Sequence, residues 1–504
     1  MTYPVWQVFA GPQFLIAVMG IVHLLIAQFA VGGGLFMVLA EGHAARHDDL
    51  PLKRWLERFT GFFVVLTLVF GVSTGVGIWF TVGLISPGAT ERLIGLFLWV
   101  WAVEWVFFLV EIISIFVYHK TWRSLPEAKH RFVGWIYFIA AWASLAAINA
   151  ILSFQLTPGH WSEGGSLLQA FFNPGFIPTT LARTFISFLL AGLYVLVGVS
   201  WKNDRILKAD ITALASVWVW ISTVLFTATC AWTWFAVGPL VGVNRHGIPS
   251  LNIALRTIPV AAALLFAGGL VVTFQRYRLP GKTGSVVLLI AGFLLVGAFE
   301  FAREDLRKPY LVHGIVYANH VPVSMQKRFR EKGFLESYPY TEKVNIDKLN
   351  RPAVGKLIFN AACTSCHTKK RGMNAVAPRL AGLEESFLAD LIFRSELTRY
   401  RMPPFPGTKR EAAAVASYLS YLAPKRVVPV TGRAVWERRC APCHSLKGSF
   451  RPVDQAFSGL DAPGIEELIE EIQAFDERMP AWTGTPAEKK ALAAFFAGKG
   501  KGKR

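Results

Sequence analysis

Cys363-Thr-Ser-Cys366-His367 recurs seventy-seven residues later as Cys440-Ala-Pro-Cys443-His444. A Cys-x-x-Cys-His run supplies two thiols that add across the vinyl groups of a c-type haem, and beside them an imidazole that becomes an axial iron ligand. The repeat extends past the signature. Met402 and Met479 each stand thirty-five residues after their histidine and each precedes proline, while Gly355 and Gly432 each lead into the motif. One module copied once accounts for every match. Zinc held by these thiols would need further Cys or His at short spacing, which neither segment offers. Two covalent haem c groups are therefore expected, attached at Cys363, Cys366, Cys440 and Cys443 and ligated by His367 with Met402 and by His444 with Met479. Met373, six residues after His367, is too close to reach the opposite haem face.

Working outward, 53% hydrophobic content, 17 Trp and 39 Phe in 504 residues exceed what a soluble core needs, so the surplus must face lipid. Nearly all of it precedes residue 301. Runs long enough to span about 30 Å of hydrocarbon fall near 13–40, 57–84, 93–118, 132–155, 180–200, 211–237, 253–274 and 283–301. The expected fold is all-α: an eight-helix transmembrane bundle (1–301), a charged connector (302–346), and two cytochrome modules (347–425 and 426–504), the second ending in the basic tail GKGKGKR. The fifth cysteine, Cys230, falls in an apolar run and reads as a small buried residue.

The net charge of +19 does not imply nucleic acid, because membrane proteins gather Lys and Arg in cytoplasmic loops for insertion reasons. Loops after the first, third, fifth and seventh runs carry Arg46, Lys53, Arg54 and Arg58; Lys120, Arg123, Lys129 and Arg131; Lys202, Arg205 and Lys208; and Arg276, Arg278 and Lys282. The other side shows only Arg92, Arg183, Arg245 and Arg256. This pattern predicts a bacterial inner-membrane protein with its N-terminus and cytochrome tail on the periplasmic side, where haem is attached to c-type cytochromes. The opening MTYPVWQVFAGPQ has no basic n-region and is not read as a cleaved signal.

Ionisable residues inside a bilayer are costly, about 2.5–3.5 kcal/mol each on insertion scales, and so are functional candidates. His23 lies about 15 Å into the first helix; alone, it reads equally as a ligand or a hydrogen-bonded packing residue. Glu104 and Glu111, seven apart, share one face of the third helix and point to a proton path. The fourth helix adds Asn149, and the eighth ends with Glu300 and Arg303. His43, His47, His119 and His130 are expected in solvated basic loops. His160 and His246 fall in outer loops, within reach of a haem propionate, and His313 and His320 just past the last helix could border a haem.

These positions carry a resemblance. Gln13-Phe14, His23 and Glu41, then GVSTGVGIWF (71–80), WAVEWVFFLVE (101–111) and HRFVGWIYFIAAWASLAAINAILSFQLTP (130–158) resemble, in order, the first four helices of cytochrome bd oxidase subunit I. Glu300-Phe-Ala-Arg303 with Pro309-Tyr310 is similar to that family's Glu-x-x-Arg-x-Pro-Trp motif. The resemblance implies that His23 and Glu300 ligate two non-covalent high-spin haems, of b and/or d type, and that Glu111 and Glu104 carry protons. It also exposes departures. Ile186 and Ile258 stand where the family's low-spin haem has its histidine and methionine, only Val237 to Leu251 replaces the long quinol-binding loop, and a ninth helix is missing. The repeated modules in turn resemble the class I cytochrome c fold, MPPF in particular.

The resulting expectation is an enzyme: a bd-like terminal oxidase fed by a soluble or complex-bound cytochrome c, with lipid, oxygen and a second membrane subunit (subunit II or a subunit I paralogue) as partners and no nucleic acid. Basic residues outnumber acidic ones in the tail, which predicts an acidic docking face on the donor. Reduction of nitric oxide or another small nitrogen oxide at the same haems, and a purely electron-relaying subunit, are the alternative readings.

Overall fold

The computed structural model describes residues 10–241, 249–278, 280–339, 350–398, 401–447, 451–453 and 456–500. Arg245 and His246, most of the loop in place of the quinol site, and the end of the basic tail lie outside them. Eight helices are long and apolar enough to cross a membrane: α1 Pro12–Arg46, α2 Leu50–Ile85, α3 Pro87–Lys120, α4 Glu127–Leu156, α5 Phe176–Ser200, α6 Arg205–Val237, α7 Pro249–Phe274 and α8 Lys282–Arg307. They match the eight predicted runs, each extended by a few residues, because amphipathic ends continue a helix beyond its apolar centre. In α2 the stretch Val65–Gly71 is π-helical.

The most buried helix is α5, which packs against α1, α4, α6 and α8. By contrast α2 and α3 turn broad apolar faces outward, with Phe80 and Trp99 60% and 71% exposed. Such surface is stable only in a hydrocarbon environment or against a partner.

Past α8 the chain forms a short hairpin, Tyr310–Val312 with Val316–Tyr317, a small β element that an all-helical reading omits. The connector was expected to be charged surface, yet Val321, Phe329, Phe334 and Leu335 share one buried cluster with Val354, Ile358, Phe359 and Val415 of the first module. Its apolar residues are too unevenly spaced to register as a helical period. The second module has its own core around Val435, Trp436, Ile465 and Leu492.

The two modules repeat in detail. A Cβ on Gly355 would lie 1.9 Å from the Ala414 carbonyl oxygen, and one on Gly432 would lie 2.2 Å from that of Ala491. The entry and closing helices therefore cross at a distance only glycine permits. Each closing helix begins with the same reciprocal cap, Thr408 with Glu411 and Thr485 with Glu488, which satisfies otherwise orphaned backbone donors.

Candidate functional site

In each module the signature histidine is oriented by a backbone carbonyl. Nδ1 of His367 lies 3.1 Å from the oxygen of Asn374, and Nδ1 of His444 lies 3.1 Å from that of Arg451. Both carbonyl residues adopt positive φ, 53° and 42°. With Nδ1 engaged, Nε2 is the nitrogen left to ligate iron, the arrangement that fixes tautomer and ring orientation in metal sites. All four signature cysteines are unbridged and half-buried, as haem attachment requires. The methionine loop of the first module is tied down by Ser395 Oγ donating to Pro403, Asn319 Nδ2 to Pro404 and Gln326 Nε2 to Phe405. Met373 is 46% exposed, and its amide donates to Ala10.

His23 sits in α1 with Nδ1 3.1 Å from the Gly71 oxygen and 3.2 Å from Thr74 Oγ1, beside the π-helical stretch of α2, a deviation that often marks functional sites. A Cβ on Gly75 would come within 3.1 Å of the ring. Again Nε2 remains for a ligand, so His23 fits an axial role. Glu300 on α8 accepts an ion pair from Arg183 at 2.6 Å and another from Arg303 at 3.0 Å. Of the two contacts only that of Arg303 is a hydrogen bond, and Oε1, buried with no hydrogen-bond donor, keeps capacity for a metal. Asn149 Oδ1 accepts from Arg183 Nε at 2.7 Å. Arg183 therefore stands 2% exposed inside α5, not among the outer-loop charges where the sequence reading counted it. Its partner is more than a hundred residues away, and neighbouring residues give no sign of the pairing.

Beside this cluster a cavity of about 70 Å³ is lined by Asn149, Arg183, Cys230, Ile258, Phe299 and Arg303 among others. Arg303 Nη1 is buried there without a hydrogen-bond partner. An orphaned guanidinium donor in an otherwise apolar cavity suits the anionic edge of a macrocycle. Cys230, expected to be buried, is half-buried at the wall of this cavity. Ile186 is a core residue of α5 and Ile258 lines the cavity; neither side chain can bind iron. Hydrogen bonds and ion pairs join Glu300 to Arg303 and Arg183, while those of His23 go to α2.

On the α3–α4 contact, Ser144 Oγ donates to Glu104 Oε1 at 2.9 Å, and the Tyr137 hydroxyl lies 3.5 Å from Glu111 Oε1. His130, expected in a solvated loop, is instead 2% exposed within α4. Its Nδ1 lies 2.9 Å from Glu41 Oε1 and its Nε2 2.8 Å from the Tyr118 carbonyl. His43 and His47 are exposed as expected, while His119 is half-buried. His160 is exposed, His313 is half-buried against the Tyr310 ring, and His320 is buried with φ 68°. Burial, reinforced by the charge of Arg92, pushes the His320 imidazole down to about 4.

Inter-domain contacts are specific. Arg401, the residue before Met402, donates to the carbonyls of Asp305 (2.6 Å) and Leu306 (2.9 Å) and also to that of Lys308, capping the open carboxyl end of α8. Arg439, the residue before Cys440, is 6% exposed and pairs bidentately with Glu384 of the first module at 2.6 and 2.8 Å and with Glu488 at 3.0 Å. The first module is thus seated on the membrane bundle and the second on the first.

Residues 12–244 match the family model for cytochrome bd terminal oxidase subunit I. Residues 350–419 and 428–496 match that for the cbb3-type subunit III of cytochrome C oxidase. No curated protein matches the chain. Among solved structures the chain is similar to the bd oxidase from Geobacillus thermodenitrificans, with a TM-score of 0.52 and 17% identity over 61% of this chain and 90% of that one, a likeness of fold. A cytochrome bd oxidase subunit I domain in the N-terminal half, continued by cbb3-type cytochrome c domains at the C-terminus, makes this chain a multi-span, haem-dependent oxidoreductase of electron transfer.

Proposed function

We propose that the protein is a bd-type terminal oxidase subunit that takes electrons from a cytochrome c donor and reduces oxygen to water. The observation that carries this reading is the seat of the first module: Arg401, adjacent to the iron ligand Met402, grips the end of the helix that bears Glu300. Because the second module is tied to the first through Arg439 and Glu384, electrons enter at 426–504, pass to 347–425 and cross the connector 302–346 into the bundle 1–301. Haem supplies the redox chemistry: two covalent groups in the tail, and a high-spin pair in the bundle that binds oxygen.

The chain's own residues do the rest. His23 and Glu300 hold the membrane pair, with Arg183 and Arg303 compensating the charge of the buried carboxylate and its neighbours. Reduction of oxygen consumes as many protons as electrons, and these are drawn from the opposite face past Glu111 and Glu104. The Lys- and Arg-rich loops lie on that opposite face, which supports the reading that it is the cytoplasmic side of a bacterial inner membrane and that the tail is periplasmic. A second membrane subunit of the bd family completes the assembly.

The test is an oxygen-electrode assay of the purified full chain with reduced cytochrome c. Oxygen uptake with two covalent and two extractable haems supports the reading. Consumption of nitric oxide in its place moves the reaction to nitrogen oxides, and turnover of quinol without added cytochrome overturns the assignment of the donor.

A further inference from the structure

The third and fourth helices meet along a seven-residue register. On α3, Glu104, Glu111 and Tyr118 follow one another at intervals of seven; on α4, Ser144, Tyr137 and His130 do the same in reverse. Each residue of one set faces its counterpart in the other. The outcome is a ladder of three polar rungs in an otherwise apolar contact, about 10 Å apart. The last rung, at the end of the bundle away from the cytochrome modules, gains a third member from α1. The Tyr118 hydroxyl donates to Glu41 Oε2 at 2.7 Å, and His130 Nδ1 meets Glu41 Oε1 at 2.9 Å. Glu41, Tyr118 and His130 are 2%, 1% and 2% exposed. The rings of Tyr118 and Trp122 flank the imidazole at 4.2 and 4.5 Å.

The hydrogen-bond partners determine the proton count. His130 Nε2 faces a backbone carbonyl, which only accepts, so Nε2 carries a hydrogen. Nδ1 faces a carboxylate oxygen, and a proton must lie between them or two lone pairs oppose each other. That proton can sit on the imidazole or on the carboxyl. In either position the group as a whole is neutral and every polar atom is satisfied, which is what burial demands. A second added proton would set two hydrogens face to face. Arg131 on α4 passes beside Gly42 and its charge acts on Tyr118; on α3, His119 and Lys120 follow Tyr118 toward the surface.

We infer that Glu41, His130 and Tyr118 form a one-proton store at the mouth of the proton path, loaded from the basic face and discharged through ordered water to Glu111 and then Glu104. The inference rests on the proton-uptake half of the proposed function. Passing the proton inward leaves the group one charge more negative, with the Glu41 carboxylate facing the bare Nδ1 of His130, and a proton taken from the aqueous phase restores neutrality, so the cost of that buried charge drives reloading.

The test compares Glu41→Gln, His130→Gln and Tyr118→Phe in the full chain. Infrared difference spectra across a protonation titration should show one carboxyl–imidazole signal that vanishes alike in Glu41→Gln and His130→Gln and survives in Tyr118→Phe. With haem content and the carbon-monoxide spectrum unchanged, the first two variants should turn over at least about tenfold more slowly and with a larger slowing in D2O, and the third less than threefold. Independent signals for the two residues, or wild-type turnover in haem-loaded Glu41→Gln and His130→Gln, overturn the store. A group that merely clamps three helices would lower melting temperature and haem content together and leave the D2O ratio unmoved. Should the wild type consume no oxygen, the oxidase reading falls, while the infrared arm still decides the store.

Discussion

Arg401 and Arg478 occupy the same place in the two copies of one module, directly before Met402 and Met479, and their surroundings are opposite. Arg401 is half-buried against the carboxyl end of α8 and donates to three of its carbonyls. Arg478 is 72% exposed and folds back on Asp476 of its own loop at 2.8 Å. The fold of the module therefore does not dictate the role of this arginine; the neighbour does. Duplication supplied two equivalent modules, and docking made the loop of one the contact with α8 and left the same loop of the other on the surface.

The comparison can be broken most severely at the glycine crossings. Gly355→Ala places a methyl 1.9 Å from a carbonyl oxygen, a clash of more than about 3 kcal/mol. Covalent haem in the first module should be lost, and reduction of the membrane haems with it, as pigment analysis and stopped-flow spectra would record. Gly432→Ala should strip only the second module and leave chemically reduced first-module haem competent.

Arg401→Ala keeps both modules folded but frees the seat on α8. Electron passage from the first module to the bundle should slow by at least about tenfold, while reduction of the tail haems by the donor is unchanged. Transfer at the wild-type rate would contradict the seat.

Acid should separate the two interfaces. His320 is held at about 4 where the first module meets the bundle, against about 6.5 when solvated. Between those values the undocked form binds more protons, so docking is strongest above about 6.5 and weakens as pH falls toward 4. The second interface relies on Glu384, whose carboxyl burial alone would raise, but which the hydrogen bonds and charge of Arg439 bring below the usual range; it should hold over the same interval. Limited proteolysis of the connector across this pH range would compare them. The smallest effect belongs to Arg478→Ala: its guanidinium is largely exposed and its pairing with Asp476 is screened by solvent, so transfer between modules should change less than twofold.

Much of this was legible in the sequence because it is local. The Cys-x-x-Cys-His signatures, their methionines and the eight apolar runs are each confined to a few dozen residues and follow from periodicity and motif spacing. What the sequence hid depends on residues far apart in the chain. Arg183 looked like a loop charge until Glu300 on another helix was seen to neutralise it, and His130 looked solvated until Glu41 and Tyr118 enclosed it. The connector escaped notice for a related reason: Phe329 and Phe334 have no periodic pattern of their own and find their apolar surroundings only in the folded first module.

The account stands or falls on His23 as an iron ligand of an oxygen-reducing site. The most direct measurement is oxygen uptake by His23→Ala with reduced cytochrome c, alongside the spectrum of its covalent haems. Loss of uptake and of the carbon-monoxide-reactive membrane haem, with both tail haems intact and reducible, is the predicted result. Uptake that persists at the wild-type rate would contradict it and leave a tethered electron carrier in its place.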